Sequence, residues 1–180
     1  MSVSDGEKLI VTMLCDIYKR LEIDGAVDPD FVSKHVNGDF WAIKREYSGI
    51  FGSEDREPED IKFVEDVLNM WRVLESGYER LTPDDQERVK AARGSFGDAP
   101  RFEGFDGHTP YPFIATTLVK DLDLWDEFAE RPMDSHTPDT EVHARMLEAS
   151  RAVRERLNYG PLDADAIIEI VDSRVHPENR

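Results

Sequence analysis

Only one cysteine, Cys15, stands in the 180 residues, so no internal disulfide can form. That scarcity fits a cytoplasmic protein. Basic residues are also few: 22 Lys and Arg against 39 Asp and Glu leave a formal charge of −17. A field of that sign repels phosphate backbones and anionic lipid, and it disfavours nucleic acid as a partner. No window approaches the roughly 20 consecutive apolar residues of a spanning helix, and no basic start leads into an apolar run. The chain therefore reads as unprocessed, soluble and without a membrane partner. Sustained period-two alternation, internal repeats and low-complexity tracts are missing as well. So are G-x-S-x-G, a Walker loop and G-x-G-x-x-G, and Cys15 has no obvious histidine partner for nucleophilic catalysis.

What is present is helical periodicity. From Pro58 to Leu81, Ile61, Val64, Leu68, Trp71, Leu74, Tyr78 and Leu81 recur at three- and four-residue spacing, with Phe63, Val67 and Met70 beside them. That face is wider than the stripe of an ordinary surface helix, so several neighbours should pack on it. The expected architecture is all-α: a single-domain, multi-helix bundle over residues 1–180 around this long central helix.

Start signals punctuate the rest of the chain. Ser4 with Glu7 makes a capping box, Asp28-Pro29 and Thr82-Pro83 place proline after a cap, and Asp39, Thr137-Pro138-Asp139 and Asp163 open further helices. A helix is expected from Tyr111 to Phe128, with a break near Asp121. In the first helix Leu9, Ile10, Met13, Leu14, Ile17 and Leu21 form the broad apolar face and are expected to lie in the core. The helix back then carries Val11, Cys15 and Tyr18. This second strip is the candidate oligomer face, with Lys8 and Lys19 beside it to meet acids of a neighbouring subunit. Replacing Val11 and Tyr18 with charge should then lower the assembled mass.

Periodicity fails from Gly94 to Pro112, the one long loop, and loops of that length in compact domains are usually functional or self-packed. Within it Phe102-Glu103-Gly104-Phe105-Asp106-Gly107 resembles the F-x-G-F-D signature of the YfbU family, bacterial all-helical proteins without an established biochemical role. Gly6-Glu7-Lys8-Leu9-Ile10 is similar to the family's opening helix, Asp66-Val67-Leu68-Asn69-Met70-Trp71 to its central helix, and Arg145-Met146-Leu147 to a C-terminal element. His108-Thr109-Pro110 departs from the polar residues that tend to follow in the family. If those positions serve a shared activity, the departure bears on it.

Read physically, Phe102 and Phe105 anchor the loop on the helices, and Gly104 and Gly107 allow angles or approaches that a side chain forbids. Asp106 reads first as a turn former or cap; the functional alternative has Asp106 and His108 lining a ligand pocket. Arg93 and Arg101 flank the loop and could hold an anion or an acidic helix end. Asp123, Asp126, Glu127 and Glu130 suggest a metal-dependent hydrolase of nucleotides or small phosphorylated compounds, but a second acidic pair on a facing helix is lacking. Asp139 and His143 have ligand spacing, yet His136 and His143 lack the H-E-x-x-H context of zinc. No metal, cofactor or catalytic residue is assigned, and the enzyme question leans to no. The reading is a cytoplasmic protein-interaction or regulatory homo-oligomer with an unknown protein partner.

Overall fold

The computed structural model describes residues 3–51, 58–92, 99–137 and 139–175. Among them are nine α-helices: α1 (Asp5–Arg20), α2 (Pro29–His35), α3 (Phe40–Glu46), α4 (Ser48–Phe51), α5 (Glu59–Glu79), α6 (Pro83–Ala92), α7 (Tyr111–Thr116), α8 (Thr140–Arg156) and α9 (Ala164–Asp172). A π-helical turn, Thr117–Asp121, continues α7, and a 3-10 turn, Asp126–Phe128, precedes α8. The fold is all-α, and the one strand-like feature among the described residues is an isolated bridge between Phe105 and Asp134.

Contacts gather the chain into two compact units, one holding α1 to α4 with residues 117–124 and the other holding α5 to α9. No linker marks the division in the sequence, because one crossing falls between Thr116 and Thr117, where α7 runs straight into the π turn.

In the second unit α5 is central, as its periodicity requires. Ile61, Val64, Val67, Leu68, Met70, Trp71, Leu74 and Tyr78 are all buried on it. Helices α7, α8 and α9 pack against α5, and α9 also packs against α6 and α8. Each fully buried side chain of this size contributes roughly 1.5–3 kcal/mol, so this face is a large part of the unit's cohesion.

Local chemistry explains four of the nine described helix starts. Ser4 and Glu7 close the capping box, the Asp28 and Asp163 carboxylates accept first-turn N–H groups, and Thr82 Oγ1 accepts from Asp85 N at 3.2 Å. At Asp39 and Asp139 the expected caps do not form, because both carboxylates are drawn sideways. Asp39 accepts from Trp41 Nε1 at 3.1 Å, and Asp139 from Ser135 Oγ at 2.6 Å. Of the cap expected at 137–139, Pro138 lies outside the described residues. The helix expected to open near Asp39 breaks at Tyr47, whose hydroxyl accepts the Asp28 N–H at 2.9 Å. The run from Tyr111 to Phe128 is also no single helix. After Asp121 the chain turns through Asp123 and Trp125, both at positive φ.

The first unit reverses the orientation expected for α1. Cys15 is buried with Val32, Val36 and Ile43, and Val11, Val27, Phe31, Phe40 and Tyr47 pack around them. Tyr18 is half-buried, its hydroxyl crowded against Gly25. The strip Val11, Cys15, Tyr18 is therefore an inward face and not an exposed oligomer face. Leu9, Ile10, Met13, Leu14, Ile17 and Leu21 are instead 50–67% exposed. The short helices α2 and α3 offer a small apolar surface that the narrower stripe fills. Burial in this cluster also pushes the Cys15 thiol up.

Candidate functional site

The described part of the long loop, residues 99–112, is built into the second unit by its backbone. Phe105 N–H donates to Met133 O and Ser135 N–H to Phe105 O, both at 2.8 Å, which lays the loop beside residues 133–135. Gly104 has φ +108°, and a Cβ there would stand 2.8 Å from Ser135 N and 2.9 Å from two carbonyl carbons. Only glycine fits so close a backbone crossing. At Gly107 a Cβ would meet the Asp134 carboxylate at 2.6 Å.

Phe102 and Phe105 are 1% and 0% exposed, as anchors should be. Their rings are 5.3 Å apart and edge to face, and Phe102 also meets Phe128 at 5.3 Å and Trp71 at 6.3 Å. Glu75 on α5 fastens the start of this segment by accepting the Phe102 N–H at 2.7 Å. The same carboxylate grips Arg131 through both terminal nitrogens, at 2.6 and 2.7 Å. The guanidinium also lies 4.9 Å over the Phe128 ring. No feature of the sequence singled out Glu75 or Arg131, because their pairing spans 56 residues.

His143 of α8 lies inside this aromatic cluster, with ring distances of 5.3 Å to Phe105, 6.3 Å to Phe102 and 6.4 Å to Trp71. Burial, helped by the Arg174 charge, pushes its pKa down to about 4, so the imidazole is neutral at neutral pH. Its Nδ1 stands 3.6 Å from Asp139 Oδ1, just beyond hydrogen-bond length. Burial also raises the Asp139 carboxyl, while hydrogen bonds from Ser135 and from the Asp106 backbone pull the other way. Ser135 thus donates to the aspartate and not to the histidine, which does not activate a serine nucleophile. With His143 only 4% exposed, the group is closed to substrate.

The polar residues of the loop are spent locally. The Asp106 carboxylate accepts the His108 N–H at 2.9 Å and faces His108 Nδ1 at 3.1 Å, which closes an Asx turn. The His108 N–H holds that carboxyl below its ordinary range. His108 itself is 92% exposed in its side chain. Asp134 repeats the arrangement with His136, accepting its N–H at 2.8 Å. Arg101 is exposed at the loop's start, and Arg93 lies outside the described residues. Asp123, Asp126, Glu127 and Glu130 share no helix, since the 3-10 turn covers only Asp126–Phe128, and Glu127 is bound by Arg72 Nε. Among the described residues no group of three or more His, Cys, Asp or Glu is placed to hold a metal ion.

Residues 99–112 of the loop are therefore a packed junction, and residues 94–98 lie outside the described residues. The open chemistry of the first unit lies on α1, where six large aliphatic side chains at three- and four-residue spacing face outward. Their helix has Asp5 and Glu7 in its first turn and Lys19 and Arg20 in its last.

Comparison with known proteins finds one family: the model of the YfbU domain matches residues 1–173. No curated protein and no solved structure matches the chain. Among the described residues no helix is long and apolar enough to cross a membrane.

Proposed function

Since the chain belongs to the YfbU family, we propose from that premise that it works in the cytoplasm as a self-associating interaction protein. The second copy docks on the outer face of α1. The observation that supports this is the exposure of Leu9, Ile10, Met13, Leu14, Ile17 and Leu21, each at least half open to solvent on one helix. Six such side chains present on the order of 500 Å² of apolar surface per copy, so a two-fold contact would bury about 1,000 Å², the threshold of a specific interface.

The local charges of α1 set how a second copy would pair. Antiparallel pairing of two α1 helices brings Asp5 in the first turn of each towards Arg20 in the last turn of the other, while Glu7 and Lys19 stay on Ser4 and Asp30 of their own chain. The opposed macrodipoles agree with that arrangement, whereas parallel pairing sets like against like. Spacing at Ile10, Leu14, Ile17 and Leu21 is that of a two-helix seam.

Light scattering at high micromolar concentration tests the reading. The expected mass exceeds the 20.6 kDa of one chain, and replacing Ile10 and Ile17 together by glutamate restores the monomer with an unchanged circular dichroism spectrum. A monomeric parent chain would refute self-association. An oligomer indifferent to the two glutamates would remove α1 as its interface.

A further inference from the structure

Between α5 and α8 the second unit holds an open groove of about 360 Å³, within the size range of small-ligand sites. Asn69 and Arg72 line it from α5, Ser150, Arg151 and Arg154 from α8, and Tyr159 from the turn after α8. Three arginines line it on a chain whose formal charge is −17. Asp66 is the one carboxylate among the lining residues.

The three arginines are not equally engaged. Arg72 is held by Glu127 and stacks 5.4 Å from the Trp125 ring centroid, and Arg151 binds Asp66 at 2.7 Å. Arg154 has no carboxylate partner among the described residues; its guanidinium lies 5.2 Å over the Tyr159 ring. A guanidinium carries five N–H donors in a planar fork, so Arg154 keeps its fork for an oxyanion and Arg151 keeps donors beyond the one on Asp66. Spaced three apart on α8, the two lie on one helix face. Tyr159 is itself unusual. It follows Asn158 in the left-handed region at φ 58°, and it is 66% exposed beside an apolar floor of Met70 and Leu147. Backbone in that region persists for a non-glycine residue where the surroundings hold it, and here the Tyr159 N–H is tied to Arg154 O at 2.7 Å.

We propose that this groove binds a small organic phosphate carrying a planar ring, with the phosphate on Arg154 and Arg151 and the ring against Tyr159. A dianion suits two neighbouring guanidiniums better than a single carboxylate does, and the exposed Tyr159 in the same lining offers the ring face that Arg154 does not cover.

Calorimetric titration of the full chain at low salt with phenyl phosphate, inorganic phosphate and phenol tests it. Phenyl phosphate is expected to bind saturably at one site, about tenfold more tightly than inorganic phosphate, and phenol not measurably. Arg154→Gln should weaken phenyl phosphate by at least about tenfold, whereas Arg80→Gln, the same charge change at the exposed C-cap of α5, should leave it unchanged. Tyr159→Ala should keep phosphate binding and lose the advantage of the ring. Circular dichroism confirms that each variant is folded. Absence of saturable binding, or equal binding by Arg154→Gln, overturns the proposal. A phosphotyrosine peptide that binds more tightly than phenyl phosphate overturns the small-molecule assignment.

Discussion

At the residue scale His143 makes the clearest demand on pH. Unfolded, its imidazole takes a proton near pH 6.5, whereas in the aromatic cluster it stays neutral down to about 4. Between those values the unfolded state binds more protons. The stability that neutral burial contributes is therefore present above about pH 6.5 and lost as pH falls towards 4. Asp139 acts in the opposite sense: burial raises its carboxyl, so the folded state takes that proton first and recovers part of the loss. Urea melts at pH 7 and at about pH 4.5 should show the parent chain losing on the order of 2–3 kcal/mol more than a His143→Leu variant. Equal losses would mean that the imidazole is charged, or reached by water, in the folded state.

At the scale of the element, α1 carries two apolar stripes with opposite roles. Val11 and Cys15 lie against α2 and α3, so Val11→Asp would press a carboxylate into the cluster with Val32, Val36 and Ile43. We expect that change to destabilise the first unit by on the order of 2–4 kcal/mol, a loss read in denaturant melts of dilute protein. Ile10→Glu, one residue away on the outer stripe, should stay within about 0.5 kcal/mol under the same conditions, because it removes an exposed side chain from a surface helix. If the two variants melted alike, the inward and outward stripes would have to be exchanged.

At the scale of the whole molecule, association must overcome the mutual repulsion of two chains that each carry −17. The acidic and basic turns of α1 attract across an antiparallel contact, but exposed pairs of that kind contribute only a few tenths of a kcal/mol each. At low salt the long-range repulsion between the two bodies outweighs that attraction, and added ions screen it, whereas apolar burial is insensitive to them. Sedimentation velocity should therefore show self-association strengthening from about 0.05 M to about 0.5 M salt. A dimer that dissociates over that range would rest on ion pairs and not on the apolar face.

Much of this fold was legible from local chemistry. The capping box at Ser4, the caps at Asp28, Thr82 and Asp163, and the broad apolar face of α5 need no partner beyond a few neighbouring residues. Phe102, Gly104, Phe105 and Asp106 could likewise be read as anchors, a glycine-only crossing and a turn former, since aromatic size and backbone sterics belong to the residue itself. Other features depend on what lies opposite. Periodicity showed that α1 has an apolar face but not which stripe turns inward; the dimensions of α2 and α3 chose the narrower one. The Glu75 clamp on Arg131, the neutral His143 and the arginine groove join segments far apart in the chain. Asp139 could serve as a cap only while no hydroxyl competed for it, and Ser135, four residues back and itself positioned by its N–H bond to Phe105 O, takes the carboxylate. Helix starts are set by hydrogen bonds within a turn, whereas these sites are set by which surfaces meet, and that was decided only when the helices packed.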